Sequence, residues 1–164
     1  MPSLQWSISH AVFVTEIDDE HKQIFAAVAA LHKVLPGQSR ELTERLIRCL
    51  GDHFAHEERL MRAARYSSLR WHKRQHDHAR RQVEQFVLRM EEGDSQAGPA
   101  LVEYLTLWLA NHTGLADRMM GAFLRNRRRV GKLTLRAGTK PMAACAWVDS
   151  HGDRFNPAAG TSEA

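Results

Sequence analysis

The sequence predicts an all-α protein built as an up-down-up-down four-helix bundle. Three observations carry this expectation. Apolar residues recur at spacings of three and four along four long segments, strand patterns are nearly absent, and the breaks between segments are short. The 164 residues are 43% apolar and 26% charged, an ordinary balance for one domain with a real core.

The first segment, 19–35, places Ile24, Phe25, Val28 and Leu31 on one face, and Pro36-Gly37 ends it. The second, about 40–65, aligns Leu42, Leu46, Cys49, Leu50, His53, Glu57, Leu60 and Met61, and breaks at Tyr66-Ser67-Ser68. The third, about 69–91, carries Leu69, His72, His76, Ala79, Val83, Phe86, Val87 and Met90. A loop from Gly93 to Pro99 follows. The fourth begins near Pro99, a residue favoured at a helix start, and carries Leu101, Leu105, Trp108, Leu109, His112, Leu115 and Met119. After Asn126 the pattern dissolves. Residues 1–129 are therefore expected to form the bundle, opened by an irregular N-terminal segment. Residues 130–164, rich in Gly, Ala, Thr and Pro, are expected to be a basic, poorly ordered C-terminal tail.

The formal charge is +4, unevenly spread. Arg118–Lys140 holds eight Lys or Arg and no Asp or Glu, so the remainder carries +4 minus 8, or −4. The basic character belongs to one segment, which argues against nucleic-acid binding by the bundle. That segment could instead dock an acidic protein partner, or its arginines could complement a helix C-terminus. No apolar run approaches the roughly 20 residues of a membrane helix. The N-terminus lacks the pattern of a secretory signal. Cys49 and Cys145, far apart in sequence, do not make a disulfide framework, and a cytoplasmic location is the expectation.

Five histidines interrupt the apolar stripes: His21, His53, His72, His76 and His112. One such histidine is usually a core residue with a hydrogen-bond partner. Five, at least one per helix, would cost several kcal/mol if left uncompensated, and a metal satisfies their nitrogens best. His53 and Glu57 are four apart and leave the same helix face, as do His72 and His76. His112 and Asp117 are five apart, offset by about 140° on an α-helix, so Asp117 would have to approach from the side. Five imidazoles and two carboxylates overfill a tetrahedral zinc site. Two metals bridged by the two carboxylates would use all seven donors. Mixed imidazole and carboxylate ligation suits iron, with manganese or zinc as alternatives.

These pieces together resemble the bacterial hemerythrins. The resemblance rests on Trp6, IDDEHKQIF (17–25), HFAHEERLM (53–61), Tyr66 followed by HKRQH (72–76), and WLANHTGLAD (108–117), and covers about residues 4–120. It implies a non-haem di-iron centre that binds O2 reversibly, with an oxo or hydroxo bridge between the irons. By matched position, His72, His76 and His112 would saturate one iron. His21 and His53 would hold the other and leave a position open for O2. Glu57 and Asp117 would bridge the pair. The O2 pocket implied is Thr113, Ile24 and Trp108. No side chain need act as acid or base. His56 reads as a surface residue or a neighbour of a ligand, and Glu58 as a residue that orients one. His10, His32, His78 and His151 read as solvated.

Thr113 departs from the family, which usually has an aliphatic residue there. A hydroxyl facing the open iron would favour release of reduced oxygen species; a hydroxyl bonded to its own helix backbone would not. Ser67 replaces a common proline and affects only a turn. The function expected is oxygen carriage, storage or sensing. The alternatives are a di-iron enzyme acting on peroxide or nitric oxide, and an oxygen-dependent signalling module that uses the basic segment.

Overall fold

The computed structural model describes residues 4–33 and 39–131. Among them the chain is helical, without strands. A short 3-10 turn, Ile8–His10, precedes α1 (Thr15–Leu31), α2 (Ser39–Ala64), α3 (Leu69–Glu91) and α4 (Ala97–His112). A five-residue π-helical turn, Thr113–Asp117, then leads directly into α5 (Arg118–Arg129). Helix α4, the π turn and α5 together make the fourth rod of the bundle. Consecutive helices pack side by side, and α1 closes the square against α4.

Helix α4 starts at Ala97, inside the expected Gly93–Pro99 loop, and two other boundaries differ from expectation for local reasons. Helix α1 starts at Thr15 rather than residue 19, since Glu16 and Asp18 complement the positive pole of its first turn and Ile17 is fully buried. The expected end of this segment, with Pro36-Gly37, lies outside the described residues. Helix α2 ends at Ala64 because Arg65 takes a left-handed conformation, φ 55°. This costs roughly 1 kcal/mol for a residue with a Cβ. The return is a closed terminus: the Tyr66 N–H donates to the Met61 carbonyl at 2.9 Å. Gly93, φ 87°, ends α3 at no such cost.

Burial divides the bundle into layers. One apolar cluster joins Ile24, Phe25, Val28, Leu46, Leu50, Phe54, Val83, Leu101, Leu105 and Leu109. A second, at the other end, joins Val12, Val14, Ile17, Leu60, Met61, Tyr66, Met120 and Leu124. In each helix the predicted ligand residues fall where the segment feeding one cluster gives way to the other, with Phe54 of the first cluster set between His53 and Glu57. The polar layer is thus sandwiched between apolar ones. Cys49 lies in the first cluster and is not a free thiol. Cys145 lies outside the described residues, and the expectation for the cysteine pair lies outside them with it. No described helix is long and apolar enough to cross a membrane.

The N-terminal arm is clasped to α5. The Val12 N–H donates to Asp18 Oδ1 at 2.8 Å, while Arg125 donates to the Val12 carbonyl. Arg118 reaches the Ser9 carbonyl at 3.3 Å, and Arg128 pairs with Glu16. Gly121 permits this approach: a Cβ there would stand 2.5 Å from the Val12 carbonyl oxygen. Three arginines of the basic segment therefore serve the fold itself. Its remainder beyond Gly131, and the tail 132–164, lie outside the described residues.

Candidate metal centre

The layer between the apolar clusters holds His21 from α1, His53 and Glu57 from α2, His72 and His76 from α3, His112 from α4 and Asp117 from the π turn. All seven are buried. Their donor atoms form two groups, each with all atoms within 4.8 Å of one another. One is Glu57, His72, His76, His112 and Asp117; the other is His21, His53, Glu57 and Asp117. The two carboxylates belong to both.

Each carboxylate divides its oxygens between the groups. Glu57 Oε2 lies 3.3 Å from His72 Nε2 and 3.2 Å from His76 Nε2. Its Oε1 faces His53 Nε2 at 3.7 Å and His21 Nε2 at 3.9 Å. Asp117 Oδ1 is 3.1 Å from both His72 Nε2 and His112 Nε2, and its Oδ2 is 3.2 Å from His21 Nε2. Despite these separations, both oxygens of Glu57 and of Asp117, and both ring nitrogens of His21 and His72, lack hydrogen-bond partners. His76 Nε2 and His112 Nε2 stand only 3.1 Å apart. Imidazole nitrogens and carboxylate oxygens that converge in this way form a cradle for cations. Eight orphaned buried polar atoms would otherwise carry a heavy desolvation cost.

The π turn makes this possible. Its wider winding brings residues five apart back towards one face, so Asp117 joins His112 directly. The oblique approach expected for Asp117 on an α-helix is not what the chain uses.

A second set of residues fixes the rings from behind. Glu20 accepts from His53 Nδ1 at 2.8 Å through one oxygen and from His56 Nδ1 at 2.7 Å through the other. Glu58 Oε1 accepts from His76 Nδ1 at 3.3 Å and from Arg80 at 3.1 Å. Gln75 Oε1 accepts from His112 Nδ1 at 3.1 Å. With Nδ1–H donated outward, each Nε2 keeps its lone pair for the centre. His56, 4% exposed, is a partner of Glu20 rather than a surface residue. Glu58 takes the orienting place expected of it. Sequence reasoning missed Glu20 and Gln75. The available signal was position: each sits one residue before a ligand histidine.

Charge follows the geometry. Burial pushes Glu20 upward, but the hydrogen bonds from His53 and His56 outweigh it and hold the carboxyl below its usual range. Burial would deprotonate His72, yet its contacts with Asp117 and Glu57 raise it to about 10. His53 is raised too: burial opposes this, and Glu57 and Glu20 override it. Glu57 and Asp117 stay ionised, since burial is outweighed by the surrounding imidazoles. His76 is lowered, by burial first and by its neighbours His112 and His72.

The residues expected around O2 divide. Ile24 is fully buried, one turn beyond His21. Trp108 stacks on His112, with ring centroids 4.3 Å apart, and meets the edge of Phe54 at 5.4 Å. The Thr113 hydroxyl donates to the Leu109 carbonyl at 2.8 Å, the backbone alternative. Of the histidines read as solvated, His32 and His78 are exposed. His10 instead packs its ring against Phe25 at 4.9 Å, and His151 lies outside the described residues.

A family model described as "Hemerythrin HHE cation binding domain" matches residues 12–124. The chain is 32% identical to a hemerythrin of Themiste dyscrita over 112 residues, 68% of this chain and 86% of that one. It is 33% identical to a bacteriohemerythrin of Pseudomonas paraeruginosa over 116 residues, 68% of this chain and 75% of the other. A bacteriohemerythrin of Ralstonia nicotianae is 28% identical over 127 residues, 77% of this chain and 93% of that protein.

Proposed function

The chain belongs to the hemerythrin family, and from that premise we propose that it binds and releases O2 reversibly in oxygen carriage or storage. As a family member it is a di-iron, oxygen-binding protein. The two donor groups support the residue roles proposed. His72, His76 and His112 hold one iron, His21 and His53 hold the other, and Glu57 and Asp117 bridge them.

The observation that carries this reading is the unequal division of donors. One position draws on five residues and the other on four, with two shared. In six-coordinate ions the first is nearly filled by protein, and the second has room for an outside molecule. Bound irons supply two electrons and that open position. The chain supplies the rest. Glu57 and Asp117, shared by both donor groups, would hold the two ions side by side. Glu20, Glu58 and Gln75 keep the imidazoles in the tautomer that ligates. The apolar clusters above and below limit access of water, and with it the protons that would carry reduced oxygen away. The Thr113 hydroxyl is committed to Leu109, so it adds no donor there. This disfavours peroxide or nitric oxide turnover as the main activity.

Signalling through the basic segment has less support, since Arg118 and Arg125 hold the N-terminal arm and Arg128 pairs with Glu16 of α1. An acidic partner would have to use the other basic residues. A cytoplasmic location suits a centre that must be kept reduced, and cell fractionation checks it. The functional test is anaerobic reduction followed by air. Optical and resonance Raman spectra should develop an oxygenated form that disappears under argon and returns with O2. Irreversible oxidation on first contact would refute carriage and storage.

A further inference from the structure

We propose that the apolar cavity between α2 and α3 is the access chamber for O2, a site for small apolar molecules from which O2 reaches the centre past the Phe54 ring. The inference rests on the reading of the chain as an O2 binder. The cavity measures about 590 Å3, and Ile47, Leu50, Phe54, Ala79, Val83 and Val87 supply apolar walls. Leu88, 57% exposed, lines its outer side, so the cavity opens to solvent there. Arg80 and Glu84 are the charged groups that line it. The Arg80 guanidinium is held by Glu58 and Asp77, with its charge answered on the protein.

Phe54 connects cavity and centre. It is 2% exposed and lines the cavity, while its ring lies flat on His76 with centroids 4.2 Å apart and an interplanar angle of 11°. The same ring lies 5.9 Å from that of His53. One aromatic side chain thus touches the chamber and a histidine of each metal position. Rotation of a buried ring is a motion that passes a diatomic molecule while still excluding larger or hydrated ones.

Gly51 offers a test. It lines the cavity from the middle of α2, and a Cβ added there meets nothing within 4 Å. Leucine favours a helix more than glycine does, so Gly51→Leu should fold and put its side chain into the chamber. Gly98→Leu is the control: it also has open space but does not line the cavity. The full-length, iron-loaded, reduced protein is first equilibrated with xenon. Methyl resonances of Leu50, Val83 and Val87 should shift saturably, and the shifts should vanish in Gly51→Leu. O2 association and dissociation are then followed by flow and photolysis methods. A narrowed path lowers both rates by one factor, at least about fivefold, and leaves affinity unchanged, because it alters a barrier and not the end states. Gly98→Leu should keep the original rates. Unaltered O2 rates in Gly51→Leu, or methyls that ignore xenon, would overturn the access chamber while leaving O2 binding intact. A reduced protein that takes up xenon but never binds O2 would instead overturn the functional reading, and the O2 route with it.

Discussion

His112 and Asp117 are five residues apart, yet His112 Nε2 lies 3.1 Å from Asp117 Oδ1. The π turn Thr113–Asp117 brings them together by interrupting the α-helical winding of the fourth rod. Inserting one alanine after Gly114 adds a residue to this step and should swing Asp117 away from His112 by about 100°. Helix content by circular dichroism should hold, and iron should fall below two per chain. Full iron retention in the insertion variant would mean that the register set by the π turn is dispensable.

Glu20 holds His53 and His56 at once. Removing such a partner of a ligating histidine typically costs about 10–100-fold in metal affinity. Glu20→Ala should therefore lose iron to a chelator far faster than the unaltered protein. His56→Ala should sit in between, because Glu20 keeps its contact with His53. Equal chelator resistance in all three proteins would show that the ring is fixed by packing alone.

Iron loading near neutral pH should release protons. Within the protein's own charges, His72 is raised to about 10 and His53 is also raised, so both carry protons that a metal must displace. In metal-free protein the raised His72 contributes stability fully below its unfolded value of ~6.5, and the contribution is lost as pH rises through about 10. The depressed Glu57 and Asp117 contribute above their unfolded values of ~4, a gain lost on acidification. Calorimetry in buffers of different ionisation enthalpy measures the release. A heat independent of buffer would contradict it.

Thr113→Val should change little. Its hydroxyl serves Leu109, a bond whose loss in a helix costs about 1 kcal/mol or less. Autoxidation of the oxygenated form should stay within about twofold of the unaltered rate. A large change would place the hydroxyl in the oxygen pocket.

Much of this arrangement is legible in the sequence, and the reasons are physical. Histidines on stripes that otherwise carry Leu and Val signal a demand no apolar core makes, so the seven residues now seen to converge stand out. The bounds of α3, Leu69–Glu91, follow from periodicity and flanking breakers. The π turn is not legible, because its i to i+5 bonding has no residue signature distinct from an α-helix. Glu20 and Gln75 are hidden for another reason. An acid or amide beside a ligand looks like any solvated residue until the partner helix is placed. The structural duty of Arg118 and Arg125 depends on backbone carbonyls of the N-terminal arm, and that of Arg128 on the Glu16 carboxylate, all about 110 residues away, which no local pattern reveals.

The central claim is that Glu57 and Asp117 join two metal positions with unequal numbers of protein donors. Mössbauer spectroscopy of the iron-loaded chain, before and after O2, addresses it most directly. The account predicts two irons per chain that give two doublets of equal area once O2 is bound. A single iron per chain, or two irons that remain indistinguishable with O2 bound, would contradict it.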